Sequence, residues 1–152
     1  MSYPCEIKAQ PARPTLTIRA TTPVQGLAQL LGRTYGAVAQ YLGEMGEQPA
    51  GPPFVAYYNM DMQNLDVQVG FACAKKLPGK GEIQAGEIPG GQLASVLHTG
   101  PYDQCGLAYE ALTQFVQESG RQATGVAYEF YLNDPQQTPP QQLQTLIMFP
   151  LK

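Results

Sequence analysis

A glutamate in the middle of a strand offers the most chemistry in this chain. The run Ala127 to Asn133 (AYEFYLN) reads as a strand, and side chains alternate sides along a strand. Tyr128, Phe130 and Leu132 then share one side, while Ala127, Glu129 and Tyr131 share the other. An acidic residue is disfavoured in mid-strand, and an ionised carboxylate is costly to bury unless it is paired. In one reading Glu129 is the counter-ion of a cationic ligand, with Tyr131 and Tyr57 offering ring faces for cation–π contact. In the other it is a solvated carboxylate on an open sheet face, or one satisfied by tyrosine hydroxyls.

Rival chemistries find little support. The single histidine, His98, excludes a multi-histidine metal centre. It shares a strand side with Ala94 and Val96, which suits a satisfied or edge histidine better than a catalytic one. Cys105 falls on the apolar stripe of a helix, which argues against a nucleophile. There is no GxSxG, Walker or GxGxxG sequence, and Gly79-Lys80-Gly81 is only a basic turn. Glu110 and Glu118 read as a solvated helix face. No cofactor and no metal are expected.

The elements that position these residues come in two copies. Shifted by 74 positions, the chain matches itself without a gap from Gly26 to Asn59. Gly26 meets Gly100, Tyr35 meets Tyr109, Gly46 meets Gly120, and Tyr57 meets Tyr131. The last strands match at an offset of 78, Phe71 onto Phe149, so the second copy has a longer loop there. Each copy reads as strand, strand, helix, strand, strand, with repeat 1 over about residues 4–76 and repeat 2 over about 82–152 of one domain.

In the first copy, 6–10 and 15–20 are strands, and Thr22-Pro23 caps and opens a long helix. Its apolar positions are Val24, Leu27, Leu31, Val38, Tyr41, Leu42 and Met45, and Gly46 ends it. Strands 54–59 and 65–73 follow. In the second, strands 82–88 and 92–99 precede a helix opened by Gly100-Pro101, with Cys105, Ala108, Tyr109, Leu112, Phe115 and Val116 inward. Gly120 ends that helix, and 127–133 and 143–151 close the chain.

The expected fold class is α+β: two pseudo-symmetric β-β-α-β-β repeats forming one curved antiparallel sheet, helices on one face and a ligand cleft on the other. Tyr128, Phe130, Phe54, Ala56 and Tyr58 should then face the helices. Glu129, Tyr131, Val55 and Tyr57 should face the cleft. Position 129 thus carries an acid where the first copy has Val55.

At 152 residues the chain is one ordinary domain, with 14% charged residues and a net charge of −3. Phosphate binding wants clustered Lys and Arg, so direct nucleic-acid binding is not expected. No apolar run has membrane-spanning length, and the N-terminus has no secretion-signal pattern. Cys5, Cys73 and Cys105 are odd in number and far apart. A disulfide framework is not expected, and a reducing cytoplasm fits better.

The run HTGPYDQCGLAYEALTQFVQESG, then AYEFYLNDP, then a last strand ending MFPLK, resembles the GyrI-like effector-binding family. The most specific parts are Gly100-Pro101-Tyr102 and the sequence from Glu129 through Tyr131, Leu132, Asn133 and Asp134 to Pro135. This resemblance implies small-molecule binding of the kind found in AraC- and MerR-type multidrug-sensing regulators. It also implies that the carboxylate matching Glu129 meets lipophilic organic cations among aromatics. With no room for a helix-turn-helix, the chain is expected to be a stand-alone binding module.

The expected function is binding of lipophilic, cationic, drug-like molecules. Glu129 supplies charge, and Tyr57, Tyr131, Tyr35, Tyr109, Phe71 and Phe149 supply walls. The resemblance also raises hydrolysis of cyclopropanoid DNA-alkylating compounds, with Glu129 activating water. A third reading is a gyrase-inhibitor-like module with a protein partner.

Overall fold

The computed structural model describes residues 3–134 and 136–152. Pro135, the last residue of the sequence beginning at Glu129, lies outside them. In chain order the elements are β1 (Cys5–Gln10), β2 (Arg13–Thr22), α1 (Val24–Glu44), β3 (Phe54–Tyr57) and β4 (Leu65–Ala72). The second series is β5 (Gln84–Ile88), β6 (Gly91–Thr99), α2 (Gly106–Glu118), β7 (Ala127–Tyr131) and β8 (Gln144–Pro150). The chain is α+β with antiparallel strand pairing, and β-β-α-β-β occurs twice, as the repeat predicts.

Two compact units emerge, and they do not coincide with the two sequence copies. Unit 1 joins 3–11 to 90–152, and unit 2 is 12–89. In unit 1 the strands run β1-β6-β8-β7. In unit 2 they run β3-β4-β2-β5. The first strand of each sequence copy therefore pairs in the unit built by the other copy.

In each unit one helix packs on the sheet. Under α2 lie Ala94, Val96 and Ile147, meeting Cys105, Ala108, Leu112 and Val116. Under α1 lie Leu16, Phe71 and Cys73, meeting Val38 and Leu42. The buried stripe of α1 is Leu30, Thr34, Val38 and Leu42 at four-residue steps. Val24, expected inward, is exposed. Its N–H bonds the Met62 carbonyl at 2.8 Å, which satisfies one open donor of the first turn.

Both helices stop as expected. Gly46 and Gly120 have φ of 71° and 73°, a region that glycine enters without strain. Glu47 N–H then bonds Leu42 O, and Arg121 N–H bonds Val116 O, closing the same terminal motif twice. The helix starts differ from expectation. Pro23 rather than Thr22 is the N-cap of α1, with no side-chain cap bond. Gly100-Pro101 does not open α2. It leads into a single 3-10 turn, Tyr102–Gln104, and α2 begins at Gly106. No helix among the described residues is long and apolar enough to cross a membrane.

Candidate functional site

Paired residues on neighbouring strands point to the same side of a sheet. Glu129 pairs with Ile147 and Tyr131 with Thr145. Ile147 pairs with Val96, Thr145 with His98, and Phe149 with Ala94. Ala94, Val96 and Ile147 lie beneath α2, so Glu129 and Tyr131 share the helix-covered side of β7. This corrects the expected placement, in which Tyr128 and Phe130 faced the helix. Those two lie on the opposite side, buried, with near-parallel rings 6.3 Å apart.

The reason is steric. Both sides of β7 carry large apolar groups, so hydrophobicity alone does not choose between them. A helix approaches a sheet closely over small side chains, and here those are Ala94, Val96, Cys105 and Ala108.

The same correction holds in unit 2. Val55 pairs with Val69 and Tyr57 with Val67, while Leu16 of the α1 core pairs with Phe71 and Ile18 with Val69. Val55 and Tyr57 therefore lie on the α1 side, with Phe54 and Ala56 opposite.

Glu129 is half-buried and held by two phenols. Tyr109, from the first turn of α2, donates its hydroxyl to Oε2. Tyr131, two residues along β7, donates to Oε1 at 2.9 Å. Burial pushes the carboxyl above the ordinary glutamate range. The Tyr109 and Tyr131 hydroxyls oppose that shift. Phenol donors stabilise the anion but leave its charge uncancelled. Among the described residues no lysine or arginine pairs with it.

Around the carboxylate the rings are ordered. Tyr109 and Phe149 have centroids 5.9 Å apart, and Tyr102 stands edge-on to Tyr131 at 5.4 Å and 65°. Tyr109 also lines a surface hollow with Glu110, Thr113, Gln114 and Gln117 of α2.

The seven expected site residues fall into two sets. Glu129, Tyr131, Tyr109 and Phe149 gather in unit 1. Tyr35, Tyr57 and Phe71 belong to unit 2, where the Tyr35 and Phe71 rings are 5.4 Å apart. There Tyr35 donates its hydroxyl to the Phe54 carbonyl at 3.3 Å, because Val55 offers no acceptor.

Three residues near Glu129 escaped the sequence argument as parts of this site. Thr145, fully buried, sits beside Tyr131. His98 is 2% exposed. Its Nε2 lies 3.0 Å from the Pro101 carbonyl and its Nδ1 3.3 Å from the Tyr3 hydroxyl. A carbonyl only accepts, so Nε2 carries a proton here. Cys105 is the third. Its thiol is pushed up to about 12 by burial first and the charge of Glu129 second. Strand parity with Val96 and the inward stripe of α2 were the available signals.

The cysteine chemistry is checkable. At pH 8 a thiol at that value carries about a thousandfold less thiolate than a free cysteine. Iodoacetamide should label half-buried Cys5 first and Cys105 only as the protein unfolds, read by peptide mass spectrometry. Among the described residues no group of three His, Cys, Asp or Glu could hold a metal ion.

Comparison with known proteins agrees with this architecture. The family model for the GyrI-like small molecule binding domain matches residues 3–152. The EcmrR C-terminal domain superposes with a TM-score of 0.87 at 24% identity, covering 100% of this chain and 99% of that one. EcmrR in its DNA complex gives 0.85 at 23%, covering 99% of this chain. Our chain spans only 57% of that longer protein. SAV2435 bound to tetraphenylphosphonium gives 0.68 at 11%, covering 100% of this chain and 94% of that one. Among curated proteins none matches.

Proposed function

Because this chain belongs to the GyrI-like small-molecule-binding domain family, we propose that it binds lipophilic organic monocations. Glu129 is the counter-charge, and Tyr109, Tyr131 and Phe149 are the ring surfaces around it. One observation carries the reading: a half-buried carboxylate held by two phenols and, among the described residues, paired with no lysine or arginine. A charge withdrawn from water needs an opposite charge to offset the cost. A lipophilic cation supplies it without hydrogen-bond donors, and the tyrosine rings attract it through their faces.

The SAV2435 complex supports the ligand class, since that protein shares the fold and is bound to tetraphenylphosphonium. Three free thiols fit a reducing compartment, the cytoplasm.

The test is charge selectivity. Tetraphenylphosphonium and neutral triphenylphosphine oxide are titrated calorimetrically at pH 8. The cation should bind about thirtyfold more tightly, the equivalent of about 2 kcal/mol for a desolvated cation–π and ion-pair contact. Equal affinities would overturn the reading. Recovery of both ligands unchanged, by mass spectrometry, separates binding from hydrolysis.

A further inference from the structure

We infer that Tyr102 is a wall of the cation site, forming with Tyr131 a two-ring corner beside Glu129 that discriminates ligands by shape. This rests on the reading of Glu129 as a cation's counter-charge.

The two sequence copies part company here as well as at Glu129. Tyr102 corresponds to Ala28 in the first copy. Ala28 is an exposed residue early in a continuous helix, α1. The equivalent stretch of unit 1 is not α-helical: β6 runs on to Thr99, and the turn at Gly100 and Pro101 replaces the helix start.

That turn is built to hold its shape. Gly100 has a φ of 137°, a conformation open to glycine, and its N–H bonds the Leu143 carbonyl at 2.7 Å. The buried ring of His98 grips the Pro101 carbonyl and is itself held by Tyr3. A fully satisfied, buried imidazole thus fixes the residue just before Tyr102.

The product of this construction is one ring, set at 65° to Tyr131 with centroids 5.4 Å apart. Tyr131 in turn donates to Glu129. Tyr102 keeps 39% of its surface exposed, so a ring face remains for a ligand. Its phenol is raised, chiefly by burial. Two departures from the repeat, Val55 to Glu129 and Ala28 to Tyr102, therefore converge in one unit. Ring faces inclined at 65° beside an anion suit a cation whose charge is spread over an apolar body.

The experiment compares wild type, Tyr102→Ala and Tyr102→Phe with tetraphenylphosphonium at pH 8, alongside melting temperatures without ligand. Tyr102→Ala should bind about fivefold more weakly. Tyr102→Phe should match wild type, because the ring face and not the hydroxyl is the contact. The melting temperatures should agree closely, since the ring is partly exposed. Wild-type affinity in Tyr102→Ala overturns the corner and leaves the Glu129 reading standing. A wild type that does not bind the cation overturns both.

Discussion

Glu129→Gln should bind tetraphenylphosphonium about thirtyfold more weakly than wild type at pH 8, yet melt at a higher temperature without ligand. Both effects come from one desolvated charge. Glutamine keeps the shape and can still accept from one phenol and donate to the other. It removes only the ionised state that burial penalises.

The pH dependence has a definite sign. The folded protein holds the Glu129 proton more tightly than the unfolded chain does, because burial raises the carboxyl. Wild-type stability therefore falls as pH rises from the ordinary glutamate value, about 4.3, through the raised one. The variant has no such slope at this position. Its stability advantage should be present above the raised value and absent below the ordinary one.

Cation binding favours the anion, so wild type should release a proton on binding until pH passes the raised value, and Glu129→Gln should not. Calorimetry in two buffers of different ionisation enthalpy reads the proton, and thermal melts from pH 4 to 8 read the stability. Equal affinity of variant and wild type at pH 8 would remove Glu129 from the site.

Gly70→Ala should cost about 3 kcal/mol or more and leave the chain poorly folded at 37 °C. A Cβ at Gly70 would stand 2.0 Å from the Leu16 carbonyl oxygen and 2.9 Å from the Thr17 Cα. Both are backbone atoms of the neighbouring strand, so no rotamer change relieves the contact. Either β2 and β4 separate, losing ladder hydrogen bonds between residues 16–18 of β2 and 69–71 of β4, or the sheet distorts beneath α1. Urea unfolding followed by circular dichroism measures the loss. Gly36→Ala is the control, since a Cβ there meets nothing within 4 Å. In an exposed helix interior that change should stabilise slightly.

Much of this was legible in the residues. The self-match and strand alternation told the order of the strands and helices, and Gly46 and Gly120 announced the helix ends. Strand alternation placed Glu129 with Tyr131, and the inward stripe of α2 contained Tyr109. What stayed hidden depends on neighbours distant along the chain. Alternation divides β7 into two sides without saying which meets the helix, and Tyr128 and Phe130 weighted the choice the wrong way. The close approach at Gly70 has no sequence signature, because the equivalent Met148 carries a full side chain. Tyr102 looked like the second residue of a helix until Gly100 turned the chain out of helical geometry. The strand partners of β1 and β5 follow from pairing alone, which no local pattern encodes.

That crossed pairing has a consequence for how such a chain could arise and be divided. A protein made of one copy alone would have a first strand with no sheet of its own to join. It would close only as a twofold dimer, each subunit lending that strand to the other. Tandem fusion makes the same exchange within one polypeptide. Residues 3–81 and 82–152, expressed as separate fragments, would each lack a border strand until mixed.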